Sequence, residues 1–76
     1  MDRATLLNQL ATTERHIAEG NEHLRRQRLV VASLKRLYPG SERLKRAVTM
    51  LANMERIQRD HIAERDQLHQ NLDGQP

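Results

Sequence analysis

The strong turn signals before the C-terminus are confined to one place in this chain of 76 residues, and this constrains its fold more than any other feature. Tyr38-Pro39-Gly40-Ser41 is the only strong turn signal before the C-terminus, because proline fixes φ and glycine accepts a positive φ. Helix-forming residues dominate on both sides of it. The pattern predicts a helix over about residues 3–37, a turn over 38–41 and a second helix over about 42–72.

Short polar residues stand where each predicted helix begins. Asp2 and Ser41 are suited to accept hydrogen bonds from the first helical turn, and Glu42 favours the positive end of the second helix. Gly74 predicts the end of that helix. Because the connecting turn is short, the two helices must lie antiparallel.

Apolar residues recur with heptad spacing along both helices. Position a of the first helix holds Leu10, Ile17, Leu24, Val31 and Tyr38, and position d holds Leu6, Thr13, Gly20, Gln27 and Leu34. Position a of the second helix holds Leu44, Leu51, Gln58, Arg65 and Leu72, and position d holds Ala47, Met54, His61 and Leu68. Folding at the turn pairs residues whose numbers add to about 78. The prediction is a single all-α domain over residues 1–76, an antiparallel two-helix hairpin.

A lone hairpin buries only one stripe of each helix, which is too little to offset the ordering of the chain at about 1–2 kcal/mol per residue. Additional apolar residues stand beside the seam, at position g: Val30, Leu37, Met50 and Ile57. Such wide stripes are typical of bundles. We therefore expect these four residues to form a dimer or partner interface, and two hairpins to associate as a four-helix bundle. The alternative is that the hairpin docks on a different protein.

The composition argues against several classes of function. With no cysteine there is no disulfide framework and no cysteine-based zinc site. No apolar run approaches 18 residues and no leader pattern follows Met1, so we expect a cytoplasmic protein without a membrane partner. Nothing resembles a nucleophile with an adjacent base or a phosphate-binding glycine loop. We expect neither an enzyme nor a small-molecule substrate, and no cofactor.

Charge is segregated along the chain. The stretch from residue 25 to 46 contains one acid, Glu42, and eight basic residues: Arg25, Arg26, Arg28, Lys35, Arg36, Arg43, Lys45 and Arg46. The half of the hairpin near the turn therefore carries a net charge of +7, and the remaining residues, five basic and nine acidic, carry −4. The eight basic residues are candidates for contact with phosphates or with an acidic partner.

Three interpretations of this segregation remain open. In the first, the basic turn end lies beside the acidic termini of a second hairpin and sets the orientation of a dimer, or is simply a solvated face with i,i+4 ion pairs. In the second, the turn end binds nucleic-acid phosphates, although Tyr38 is its only aromatic residue for base stacking. In the third, it binds an acidic protein. We favour the first.

The tetrapeptide His16-Ile17-Ala18-Glu19 recurs as His61-Ile62-Ala63-Glu64. In an antiparallel hairpin the two copies cross each other, and the potential ligands His16, Glu19, His23, His61 and Glu64 gather near the middle. The favoured interpretation is a polar layer of two His–Glu hydrogen bonds that fixes the register. A pH-responsive contact and a metal site are alternatives, but the inward glutamates that a di-metal bundle needs are missing, so we expect no metal. Gly20 beside this layer predicts a close approach of Gln58 or of a partner helix.

The segment Glu14-Arg15-His16-Ile17-Ala18-Glu19-Gly20 and the later His61-Ile62-Ala63-Glu64-Arg65-Asp66 resemble short uncharacterised helical proteins of rhizobia and related α-proteobacteria. The resemblance covers about half of the chain. The Pro39-Gly40 turn departs from the more polar connection of that group. No activity is assigned to those proteins, so the resemblance implies a bacterial intracellular origin and no mechanism.

Overall fold

The computed structural model describes residues 2–75; Met1 and Pro76, the ends of the predicted domain, lie outside the described residues. It consists of two helices, α1 (Arg3–Leu37) and α2 (Glu42–Asp73). They pack against each other in a hairpin that measures 56 × 14 × 13 Å. No strand occurs within residues 2–75. The predicted all-α hairpin of two helices is confirmed.

The predicted N-terminal caps are formed by side-chain oxygens. Asp2 Oδ1 accepts a hydrogen bond from the Thr5 amide at 2.7 Å, and Ser41 Oγ accepts one from the Leu44 amide at 3.1 Å. The bond from Thr5 lowers the pKa of Asp2 below its ordinary value. Helix α2 ends at Asp73, one residue beyond the predicted end, and Gly74 follows it as the cap.

The turn contains the one glycine whose backbone conformation requires glycine. Gly40 has a φ of 77° and nothing within 4 Å of the position a Cβ would take. The Ser41 amide closes the turn by donating to the Tyr38 carbonyl at 3.2 Å. The chain leaves the helical conformation at Tyr38, so this side chain is exposed and does not pack at the predicted position a.

The core is a single seam between the helices. The buried apolar residues are Leu6, Ile17, Leu24, Val31, Ala47, Leu68 and Leu72, and all stand at predicted a or d positions. Thr13 and Gln58 are the buried polar residues of the described chain. None of the described side chains is completely enclosed, which is the consequence of packing only two helices.

Polar side chains tie the helices together near the middle. Gln27 Nε2 donates to the Ala47 carbonyl at 2.9 Å. Gln58 Nε2 donates at 2.8 Å both to the Ile17 carbonyl and to Asn21 Oδ1. The Gln58 side chain lies directly against Gly20, as predicted. This contact and the packing of Leu6 with Leu72 at the end away from the turn define the register. Residues at the same level along the hairpin have numbers that add to about 78.

Candidate interaction surface

Four large apolar side chains are about half-exposed on one flank of the hairpin. Val30 and Leu37 lie on α1, and Met50 and Ile57 lie on α2. They occupy the g positions, which adjoin each other across an antiparallel seam, so they form one surface. We call this surface the apolar patch. Apolar surface that recurs on one side of two helices indicates an interaction site, whereas scattered exposed side chains do not.

A cleft of about 290 Å³ continues the apolar patch towards the middle of the hairpin. Its lining residues are His16, Glu19, Gly20, His23, Met54, Ile57, Gln58 and His61. Gly20 lies in the wall of this cleft, and the Gln58 side chain occupies the space that a Cβ at Gly20 would take. Ile57 belongs both to the cleft and to the apolar patch, and we call the two together the open flank.

Two buried polar atoms beside the cleft have no hydrogen-bond partner in the hairpin: Gln58 Oε1 and His61 Nδ1. Gln58 is only 5% exposed, and its amide nitrogen is satisfied while its oxygen faces Gly20. Because native structures leave few buried polar atoms unsatisfied, each such atom needs an explanation. Both atoms belong to residues that line the cleft.

The two copies of the repeated tetrapeptide meet through their imidazoles. The ring centroids of His16 and His61 are 5.4 Å apart with the rings tilted by 37°. The two predicted His–Glu hydrogen bonds do not form among residues 2–75. Glu19 instead lies near Arg15 of the same helix, with its Oε1 3.9 Å from Arg15 Nε.

The residues of the predicted His/Glu layer therefore line two neighbouring surface depressions. His16, Glu19, His23 and His61 line the cleft. Glu64 lines a neighbouring polar depression towards the termini, which it shares with His16 and His61. Within the described residues, no group of three or more His, Asp or Glu side chains has the geometry to hold a metal ion.

The opposite flank is closed by polar contacts between the helices. Arg28 Nη2 is 4.0 Å from Glu55 Oε2, and His69 Nε2 is 3.9 Å from Glu14 Oε1. The Gln58–Asn21 hydrogen bond lies on this side as well. We call it the closed flank. The two flanks differ in chemistry, and among residues 2–75 only the open flank combines apolar exposure with a cleft.

The basic residues of the turn half divide into paired and unpaired ones. Glu22 Oε1 accepts from Arg25 at 2.7 Å and from Arg26 at 3.1 Å, and Glu42 pairs with Lys45 at 3.1 Å. Arg28 faces Glu55 on the closed flank. Lys35, Arg36, Arg43 and Arg46 have no acidic side chain within 4 Å in the described part of the chain. These four unpaired cations surround the turn on both helices.

The pKa of Glu22, which pairs with Arg25 and Arg26, is strongly lowered. Hydrogen bonds and charge from Arg25, with a further contribution from Arg26, lower the pKa of Glu22 to about 2 from an ordinary value of 4.5. The same contact raises the pKa of Arg25. Glu22 therefore stays ionised over the whole physiological range and neutralises part of the basic surface.

The sequence indicated the apolar patch of the open flank but not the cleft that continues it. The g-position pattern identified the four residues of the apolar patch, and Gly20 was expected to mark a close approach. The cleft was not predicted, because its walls depend on how His16, His61 and Gln58 share the space beside the glycine. A glycine within a helix, flanked on one face by histidines, is the signal that points to it.

Comparison with family models, with curated proteins and with solved structures finds no match. The resemblance to short α-proteobacterial proteins therefore stays a prediction. Among residues 2–75, neither helix has the length and apolar character needed to cross a bilayer.

Proposed function

We propose that this protein is a non-enzymatic interaction module that acts as a homodimer of helical hairpins, a four-helix bundle formed through the open flank. The observation that carries the proposal is the apolar patch, four half-exposed side chains on one flank of a hairpin with a thin core. The cleft beside it contains imidazoles and a carboxylate but no hydroxyl, thiol or lysine nucleophile. Its chemistry favours packing and hydrogen bonding over catalysis.

The surface area of the hairpin supports a dimer. The chain exposes 5661 Å², whereas a compact monomer of 8.9 kDa is expected to expose about 4,800 Å². The excess is close to the ~800 Å² that each partner buries in a standard protein interface. Closed two-fold dimers are also the commonest assemblies of identical chains. A second copy is therefore the occupant that we propose for the open flank.

Two matched valines test this proposal. Val30 lies in the apolar patch and is 46% exposed, and Val48 lies on the closed flank and is 43% exposed. We expect the wild type to sediment as a dimer at micromolar concentration, Val30→Asp as a helical monomer, and Val48→Asp as a dimer. A fully helical wild-type monomer, or equal effects of the two substitutions, would contradict the proposal.

A second candidate function is sequence-independent binding of nucleic-acid phosphates by the turn end. It is favoured by the four unpaired cations and by the exposed side chain of Tyr38 beside them. Four phosphate contacts predict that the logarithm of the affinity for single-stranded RNA falls with the logarithm of salt with a slope of about −3. An affinity for RNA that does not change with salt concentration in the low-salt range would exclude this function.

Charge reversal separates specific contacts from general attraction. Arg36→Glu combined with Arg46→Glu removes two of the unpaired cations, so the slope is expected to fall to about half. Arg56→Glu combined with Arg59→Glu makes the same change in net charge in the acidic half of the chain and is the control. Equal losses in both variants would show that only the net charge matters.

A further inference from the structure

We propose that Met50 is a site of reversible oxidation by hydrogen peroxide, and that its sulfoxide keeps the two hairpins of the dimer apart. This inference rests on the proposed dimer and adds a means of regulating it. Three features carry it: the position of Met50 in the apolar patch, the exposure of this residue in the single hairpin, and the absence of cysteine from the sequence.

Met50 lies near the centre of the apolar patch. In the register of the hairpin it is nearly level with Val30, while Leu37 and Ile57 lie at the two ends of the patch. A two-fold contact in which two such patches bury each other covers this central level, whether the copies run parallel or antiparallel. Burial of Met50 therefore follows from the proposed dimer without any assumption about its orientation.

Met50 is also the residue of the apolar patch that peroxide can oxidise. It is 55% exposed in the hairpin and carries a thioether, whereas the other three side chains of the patch are hydrocarbons. The chain has no cysteine thiol that would compete for the oxidant. Of the other methionines, Met54 is half-buried in the wall of the cleft, and Met1 lies outside the described residues. Because oxidation follows exposure, we expect Met50 to react faster than Met54.

The oxidation of the thioether is balanced by reduction of the peroxide. The sulfur lone pair attacks one peroxide oxygen, and the S–O bond forms as the O–O bond breaks. The departing hydroxide takes the proton from the transferred oxygen and leaves as water. Sulfur loses two electrons and hydrogen peroxide gains them. Methionine sulfoxide reductases return the sulfoxide to the thioether, with a dithiol as the reductant and water as the by-product.

A sulfoxide at position 50 is unfavourable in the apolar interface. Its oxygen is a polar acceptor, and the other side chains of the apolar patch have no donor to offer it, so its burial is costly. A two-fold dimer buries two such groups, and we therefore expect dimerisation to weaken by about a hundredfold. The fold of the single hairpin is expected to persist, because Met50 lies outside the buried seam.

The dimer and the oxidant compete for the same side chain. Met50 is exposed in the dissociated hairpin and covered in the dimer, so oxidation proceeds through the dissociated chains. Mass action then couples its rate to protein concentration. We expect the rate of Met50 oxidation to fall at least about threefold when the concentration rises from well below to well above the dissociation constant of the dimer.

Peroxide treatment followed by sedimentation and tandem mass spectrometry tests the inference. Wild-type protein in which Met50 carries one added oxygen should sediment as a helical monomer at a concentration where the untreated protein is a dimer. Treatment with methionine sulfoxide reductases should restore the dimer. Met50→Leu keeps the apolar volume without the sulfur, so it should stay dimeric in peroxide although Met1 and Met54 remain. Met54→Leu should respond to peroxide as the wild type does.

Several results would overturn the inference and leave the proposed dimer intact. These are a dimer that persists after complete oxidation of Met50, a Met50→Leu dimer that dissociates in peroxide, and faster oxidation of Met54 than of Met50. A rate of Met50 oxidation that is the same in the dimer and in the dilute chains would also overturn it, because the dimer would then not cover this residue. A wild type that is monomeric before treatment would defeat the proposed function together with this inference.

Discussion

At the scale of single residues, Gly20 and Gln58 determine how closely the helices approach. A methyl group at Gly20 would lie 2.8 Å from Gln58 Cδ and closer still to Oε1. Gln58 cannot move away without loss, because its amide nitrogen donates across the seam to the Ile17 carbonyl and to Asn21 Oδ1. The glycine costs about 1 kcal/mol of helix propensity relative to alanine, and the hydrogen bonds that it permits offset this cost.

The pair makes a double-substitution prediction. Gly20→Ala should destabilise the wild type by about 1–2 kcal/mol, because displacing Gln58 breaks buried hydrogen bonds. In the Gln58→Ala background the obstruction is absent, so the same substitution should stabilise by about 1 kcal/mol. Urea unfolding of the four proteins at one concentration measures the coupling. If Gly20→Ala had the same effect in both backgrounds, the contact would have no energetic role.

At the scale of the helix, Glu22 makes stability depend on pH. Its pKa of about 2 lies below the ordinary 4.5, so the folded state resists its protonation. The stabilisation is therefore fully present above pH 4.5 and is lost as the pH falls towards 2. Glu22→Gln should lower the melting temperature at pH 7, and the difference from wild type should disappear near pH 2. Glu64→Gln is the control, because Glu64 makes no ion pair among the described residues; a matching pH-dependent loss there would contradict the assignment.

The turn between the helices depends on the conformation of one residue. Gly40 has a φ of 77° in open space, so substitution there tests the backbone alone. Gly40→Ala should cost about 1–2 kcal/mol, and Gly40→Asn should cost less because asparagine tolerates left-handed conformations. Thermal unfolding measures both. Equal stability of the alanine variant and the wild type would show that the turn adopts another conformation in solution.

The helices and the turn show which structural features could be predicted from the sequence. Caps and turns depend on residues close together along the chain, so Asp2, Ser41 and Gly40 were identified correctly. The seam followed from periodicity and a short turn. The apposition of His16 and His61 was not predicted, because a heptad register specifies the level of a residue but not its side-chain direction. The ion pair between Arg28 and Glu55 was not predicted for the same reason, because it also depends on side-chain direction.

At the scale of the whole molecule, the hairpin is long and thin, and its two flanks are chemically different. Its 56 Å length gives a narrow core a large surface. The closed flank links α1 and α2 through the Arg28–Glu55 ion pair, the His69–Glu14 contact and an amide hydrogen bond. The open flank exposes the apolar patch, and two polar atoms buried beside its cleft have no hydrogen-bond partner in the described part of the chain. A partner on the open flank would complete the core that two helices alone cannot enclose.

If a second copy completes the core, folding and association are linked, and this linkage can be measured without any assumption about the interface. The melting temperature of a dimer rises with protein concentration, because dilution favours the unfolded monomers. For a cooperative unit of two chains, a tenfold increase in concentration should raise it by about 3–5 °C. Val30→Asp should melt lower and independently of concentration, since burying its carboxylate in the interface is unfavourable, while Val48→Asp should keep the concentration dependence. A melting temperature of the wild type that does not change over a hundredfold range would mean that the hairpin is stable alone, and the open flank would then have to be assigned to a different protein.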